Sequence, residues 1–247
     1  MPQRVALFVP CYVDQFYPQV ARATLALLER HGLVVEFPPG QTCCGQPMAN
    51  AGCERDAVAT ARGFVRAFAG YDYVVSPSGS CVYHVRHHYD RLAQTDETRR
   101  VRDAVYELCQ FLVEVLGVSD PGVAFPHRVG LHMGCHAQRG LRLAGSTEIG
   151  GSPSGAMRGL LERVAGLTLI DLDRPDECCG FGGTFCVTEE AVSARMGLDR
   201  VGDHARHGAE VITSGDMSCL MHLDGIIRRQ RLPIRVLHVA EILSGVK

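Results

Sequence analysis

The chain has 247 residues, 46% hydrophobic and 21% charged, with a formal net charge of −2. That length supports one large or two small domains with a real core, and the composition excludes wholesale disorder. The charge gives no argument for nucleic acid as a partner, and no apolar run reaches the roughly 18 residues of a membrane span.

Met1-Pro2-Gln3-Arg4 and the short apolar run Val5–Val9 lack the length and cleavage region of a signal peptide. Val5–Val9 reads instead as a buried first strand. Phe16–Arg30 repeats apolar residues at helical spacing (Val20, Leu25, Leu27, Leu28), and His31-Gly32 closes that helix. Val34–Phe37 is a second strand, Cys53–Phe68 a second helix and Tyr73–Val75 a third strand, with a helix over Val105–Leu116 further on. Ser119–His127, holding Pro121, Gly122 and Pro126, reads as a junction. Beyond it come strands at Val129–His132, Leu167–Ile170 and Val211–Thr213, and a helix over Glu189–His207.

The second part repeats the first. Val5–Cys11 matches Val129–Cys135, and Thr42-Cys43-Cys44-Gly45 matches Glu177-Cys178-Cys179-Gly180. Val74–Cys81 matches Val211–Ser214 and then, past Gly215, Asp216–Cys219, while Phe111–Leu116 matches His238–Leu243. The offset grows from 124 at Cys11 and Cys135 to 138 at Cys81 and Cys219, which puts insertions in the second copy, in the Gly/Ser/Pro-rich stretch Ala144–Gly155. The expected organisation is two tandem α/β, Rossmann-like halves, 1–120 and 121–247, with parallel sheets and Cys-rich loops at the strand carboxyl ends.

Eleven cysteines and no Trp are the unusual part of the composition. Disulfide frameworks belong to oxidising compartments, and an odd count with two adjacent Cys-Cys pairs suits one poorly. Metal or redox chemistry in a cytoplasmic protein is the better reading. Cys11, Cys81, Cys135 and Cys219 each follow a strand and precede a helix, at the binding edge of an open α/β sheet. Each half therefore brings four thiols from three loops to one edge: Cys11, Cys43, Cys44 and Cys81, then Cys135, Cys178, Cys179 and Cys219. Four thiolates suit an iron–sulfur cluster or a Zn²⁺ ion. Structural zinc prefers ligands two to four residues apart, whereas neighbouring cysteines splay and fit a larger object. Gly45 and Gly180 allow close backbone approach after each pair, and Phe181-Gly182-Gly183 adds room in the second half.

The two Cys-Cys-Gly motifs, each flanked by a Cys thirty to forty residues to either side, resemble the cysteine-rich CCG domain family across essentially the whole chain. That family includes the cysteine-rich subunit of heterodisulfide reductase, the iron–sulfur subunit of glycolate oxidase and the stand-alone iron–sulfur protein of lactate utilisation, which this chain resembles most in length. The resemblance implies iron–sulfur clusters, [4Fe-4S] in type and one or two per chain. It also implies partner subunits, one a ferredoxin-type cluster protein, and assembled oxidation of L-lactate to pyruvate. One departure stands out. Where heterodisulfide reductase ends each motif with Cys-x-x-Cys, this chain has Ser78 and Asp216 in place of the first thiolate, which puts a five-thiolate, non-cubane cluster in doubt.

The remaining candidates carry plainer readings. Cys53 is a spare thiol, Cys109 a core residue, and Cys186 a structural neighbour of the second Cys-Cys-Gly turn. Asp216 reads as a helix N-cap, with an oxygen ligand or a catalytic base as the alternative, and Ser78 likewise as a cap. His84, His87 and His88 share a helix, the latter two solvated; His132, His136 and His222 are placed to hydrogen-bond sulfur. Arg195, Arg200 and Arg206 form a solvated basic face for docking a partner. No GxGxxG or GxxxxGK[ST] loop is present, so the chain relays electrons and does not own the whole reaction.

Overall fold

The computed structural model describes residues 3–150 and 154–245, so Met1, Pro2 and part of the Ala144–Gly155 insertion lie outside the described residues. The first half runs β1 (Val5–Leu7), α1 (Cys11–Phe16), α2 (Pro18–Arg30), β2 (Val35–Glu36), α3 (Gln46–Asn50), α4 (Glu54–Phe68), β3 (Tyr73–Ser76), α5 (Gly79–His88), α6 (Asp96–Ala104), β4 (Val105–Glu107) and α7 (Leu108–Gln110), which continues as a π-helical turn over Phe111–Val115. The second runs β5 (Arg128–Leu131), a π-helical turn His136–Gly140, α8 (Ala156–Leu161), β6 (Thr168–Leu169), α9 (Phe185–Thr188), α10 (Glu190–Arg206), β7 (Val211–Ser214), α11 (Met217–Gln230), β8 (Arg235–His238) and α12 (Val239–Ser244).

Each half builds a four-stranded, wholly parallel sheet, in the orders β2-β1-β3-β4 and β6-β5-β7-β8. The central strands are buried on both faces, as a parallel sheet covered by helices requires, hence their continuous apolar runs. Pro18 opens α2 at its first turn, where its missing N–H costs no hydrogen bond, and Gly32 with φ +80° lets the chain leave it.

Strand register fixes the internal alignment and corrects two details of it. Val5 pairs with Tyr73 as Val129 pairs with Val211, so Tyr73 corresponds to Val211. The 138-residue offset then holds without a gap to Cys81 and Cys219, and Gly215 occupies the place of Pro77 instead of being an extra residue. Ser76 pairs with Glu107 as Ser214 pairs with His238, so Glu107, not Phe111, is the counterpart of His238. The sequence match is displaced by about one helical turn, since an apolar helix face looks alike when shifted by four residues. Nor is Val105–Leu116 one helix: its first three residues are β4, and β8 likewise emerges only in the structure. Short apolar strands running into a helix without Gly or Pro leave no punctuation to read.

The halves are not packed independently. One buried cluster draws Val5, Leu27 and Leu108 together with Leu131, Leu160 and Val239. The contacts are reciprocal: α12 lies on α2, and its counterpart α7 lies on α8, the counterpart of α2. Arg30 at the end of α2 donates to the carbonyls of Leu243 and Ser244, which would otherwise be orphans of the helix end.

Candidate metal centre

At the carboxyl ends of β1 and β3 the chain turns straight into α1 and α5, so Cys11 is the first residue of α1 and Cys81 lies in the first turn of α5. Cys219 has the same place in α11, and Cys135 immediately precedes the π-helical turn. The Cys-Cys-Gly loops come to meet them. Cys43 Sγ lies 3.7 Å from Cys11 Sγ, and Cys44 Sγ 3.3 Å from Cys81 Sγ. The second half repeats this pairing, Cys178 with Cys135 and Cys179 with Cys219. All eight motif thiols are thus drawn into two sets of four, and every cysteine is a free thiol.

Gly45 and Gly180 adopt φ of +89° and +90°, and each donates its backbone N–H to the sulfur two residues earlier, Cys43 or Cys178, at 3.4 Å. Phe181 N–H donates similarly to Cys179 Sγ at 3.5 Å. Contacts with Cys11 and Cys44 hold the Cys43 thiol down to about 3, against its burial, and contacts with Cys135 and Cys179 hold Cys178 at about 2. Cys11, Cys44, Cys135 and Cys179 are pushed up, first by the thiol each touches and then by burial. Crowded thiols of this kind cannot all ionise in a buried place unless a cation neutralises them. The donor set fits a metal or an iron–sulfur cluster.

The two sets share one space. A cavity of about 100 Å³ is lined by Cys11, Cys44 and Cys81 on one side and Cys135, Cys179 and Cys219 on the other. Ser78 and Asp216, at equivalent positions of the two halves, meet through an antiparallel bridge where the internal symmetry axis passes. Asp216 stands at the N-cap position of α11, but its side chain accepts no hydrogen bond from that helix. Its carboxylate reaches across the halves and accepts from Ser78 Oγ at 2.7 Å, Ser80 Oγ at 2.8 Å and Ser80 N–H at 3.2 Å. Burial raises its pKa, against those hydrogen bonds. Ser78 is a true cap, accepting from Cys81 N–H at 3.3 Å. Gly134 leaves the room this needs, since a Cβ there would stand 2.9 Å from Asp216 Oδ2.

Other candidates fall elsewhere. Cys53 is exposed before α4, and Cys109 is fully buried in the shared core. Cys186 donates to Gly183 O at 3.0 Å, beside the second loop but outside the sulfur set. His136 stacks on Tyr83 of the other half, 5.0 Å between rings. The expected basic face of α10 is not one: Arg195 and Arg206 are ion-paired at the surface with Asp199 and Asp173, and Arg200 is 0% exposed. Arg200 donates Nε to His132 Nδ1 at 3.2 Å and its terminal nitrogens to the carbonyls of Leu131, Arg174 and Pro175, so it ties the second Cys-Cys-Gly loop to β5. Asp203 completes the tie by accepting from Asp173 and Arg174 N–H. In the first half Tyr89 has this role, its hydroxyl donating to Cys44 O at 2.8 Å, together with Gln41, which brackets β1 through Val9 N–H and Leu7 O. No pattern in the sequence points to Tyr89 or Gln41. Arg200 is within reach of sequence reasoning if α10 is laid on α4, whose buried Ala57, Ala61, Phe64 and Phe68 have the spacing of Ser193, Gly197, Arg200 and His204.

Fold and donor set together define a duplicated α/β protein built to hold metal or iron–sulfur centres on cysteine. The cysteine-rich (CCG) domain profile matches twice, over residues 5–86 and 129–224, and the chain belongs to that family. It is 42% identical over 246 residues to lactate utilization protein A of Geobacillus thermodenitrificans, covering 98% of each chain. A second lactate utilization protein A, from Halalkalibacterium halodurans, is also 42% identical, with 98% of this chain and 96% of that one covered. Among solved structures, a hypothetical protein from Helicobacter pylori shares the fold, with TM-score 0.54 and 13% identity over all of this chain and 50% of that one.

Proposed function

We propose that the chain is an iron–sulfur electron-transfer subunit of a cytoplasmic complex that oxidises L-lactate to pyruvate. Each repeat, dividing near residue 120, holds one cluster of [4Fe-4S] type, on Cys11, Cys43, Cys44 and Cys81 and on Cys135, Cys178, Cys179 and Cys219. The observation that carries this reading is the gathering of two four-thiol sets around one cavity, which every one of the eight thiols but Cys43 lines. The substrate follows from the relatives at about 40% identity, which are named for lactate utilization. Among the described residues no helix is long and apolar enough to cross a membrane.

Clusters so held take up and release electrons singly. The chain's own residues supply the setting. Gly45, Gly180 and Phe181 present N–H groups to sulfur, while Tyr12 and Phe181, ring against ring at 5.9 Å across the halves, wall the cavity. Asp216 clasps the two halves beside it. With no dinucleotide loop in the sequence, the hydride-equivalent chemistry falls to a partner, and the electrons pass to a ferredoxin-type subunit.

Protein purified without oxygen is expected to be brown, with iron, acid-labile sulfide and broad absorption at roughly 400 nm. Colourless protein with stoichiometric zinc would overturn the reading in favour of a zinc-stabilised module. Reconstituted alone with L-lactate and an artificial acceptor, the chain is expected to form no pyruvate. Sustained turnover abolished by Asp216→Asn would make it the catalytic subunit instead.

A further inference from the structure

The two thiol sets match, but what stands behind them does not. Phe8 N–H donates to Val75 O at 2.9 Å, and His132 N–H donates to Thr213 O at 2.8 Å, so Phe8 and His132 occupy the same position. Phe8 packs edge-on against Phe64 and Phe68 of α4. The corresponding residues of α10 are Arg200 and His204, and all three of His132, Arg200 and His204 are buried. An aromatic triad behind the first set is thus a polar, charged triad behind the second.

The hydrogen bond from Arg200 fixes what His132 can do. An arginine Nε only donates, so His132 Nδ1 must be the accepting nitrogen, which leaves the ring proton on Nε2. Nε2 is buried and has no hydrogen-bond partner among the described residues. A ring nitrogen of His132 and the sulfurs of Cys179 and Cys219 all lie within 4.8 Å of one another. With Nδ1 taken by Arg200, Nε2–H is the group free to face sulfur. A protonated Nε2 has no lone pair for a metal, so it serves as a donor and not as a ligand. The imidazoles of His84 and His222 lie at equivalent positions, 138 residues apart, and therefore do not distinguish the halves.

We propose that His132, locked by Arg200, is a positioning residue that donates Nε2–H to the sulfurs of the second thiol set and raises the reduction potential of that centre above the first. This rests on the cluster reading proposed for the two thiol sets. An N–H donor to sulfur favours the more negative, reduced state of a thiolate-held centre, while the guanidinium behind it, paired with buried Asp203 at 3.6 Å, holds the ring in place. The first set, backed by Phe8 and Phe64, has no side-chain donor at this position.

The test is a redox titration of anaerobically loaded protein, followed by electron paramagnetic resonance, with iron per chain measured alongside. The wild type is expected to reduce in two separated steps. His132→Phe, which copies Phe8, should move the higher step to lower potential and leave the other in place, with iron unchanged. His132→Gln, which keeps an N–H donor, should preserve the separation. Because His132→Phe strands Arg200 Nε, the double variant His132→Phe with Arg200→Phe copies Phe8 and Phe64 together and is expected to shift that step downward at least as far. The inference fails if the wild type shows one unresolved step, if neither step moves, or if both move equally. It fails also if His132→Phe loses iron, which would make His132 a ligand. A wild type without iron and sulfide would defeat the cluster reading itself, a result distinct from a loaded protein that ignores His132.

Discussion

The first half holds its Cys-Cys-Gly loop with a phenol and an amide, Tyr89 and Gln41, over a core of Phe8, Phe64 and Phe68. The second holds the equivalent loop with Arg200 and Asp203, over His132 and His204. What the halves keep in common is the backbone: strand order, left-handed glycines after each Cys pair, and thiols at helix starts. A duplicated donor set therefore fixes where a centre sits, while the packing behind it is free to diverge. Matching thiol sets thus stand in unequal surroundings.

The most severe test of that distinction empties one half at a time. Cys44→Ser is expected to remove iron from the first set and Cys179→Ser or Cys219→Ser from the second, each lowering iron by about half, since thiolates hold the metal directly. Cys53→Ser and Cys109→Ala should leave iron content unaltered, as an exposed thiol and a packed one respectively. Loss of both centres from any single change would show that the shared cavity makes the two sets one unit. Iron loss at Cys53 with Cys179 silent would show that a different set of thiols holds the metal.

Much of this is legible in the sequence for a physical reason. Thiols, glycines and strand cores are constrained locally, so Cys-Cys-Gly, its flanking cysteines and the Val-rich strands keep recognisable signatures through the duplication. The same signatures carry the α/β class and its parallel sheets. What stays hidden depends on facing elements. Arg200 looks like any solvated helix arginine until β5 and the loop at Arg174 are folded against it. Asp216 looks like a cap, and only the approach of Ser78 and Ser80 from 136 to 138 residues away turns its carboxylate across the axis. β4 and β8 escape notice because each runs into its following helix with no Gly or Pro between them.

A smaller effect separates the halves at the glycines. Gly45 and Gly180 share a left-handed backbone, so alanine at either position costs about 1–2 kcal/mol in strain. Their surroundings differ. A Cβ on Gly45 would stand 3.5 Å from Ala57 O, in ordinary contact, while one on Gly180 would stand 2.7 Å from both Met196 Cβ and Ser193 O. Gly180→Ala should therefore cost an additional ~1–3 kcal/mol for overpacking. Denaturant midpoints of the two loaded variants check this, and equal losses would mean that α10 yields to a methyl group as α4 does.

The slightest of the expected effects concerns acid. Burial, then the neighbouring Arg200, pushes His204 well below the ordinary imidazole range, so it is neutral in the folded protein. The unfolded chain takes up a proton there as pH falls below about 6.5. The folded state then binds fewer protons than the unfolded one, and stability declines with falling pH by up to about 1.4 kcal/mol per pH unit for this group. Burial also lowers His238, to about 4, so its share of the acid sensitivity persists down to that pH. His204→Phe copies Phe68 of the first half, where no imidazole occupies the position, and Gly130 beneath the ring leaves space for it. The variant should lose stability less steeply than wild type between about pH 6.5 and about pH 5, by close to one proton's slope. Urea midpoints at the two ends of that window measure it. An unchanged slope would mean that His204 does not stay neutral when folded, and that a second positive charge stands behind the second set beside the ion-paired Arg200.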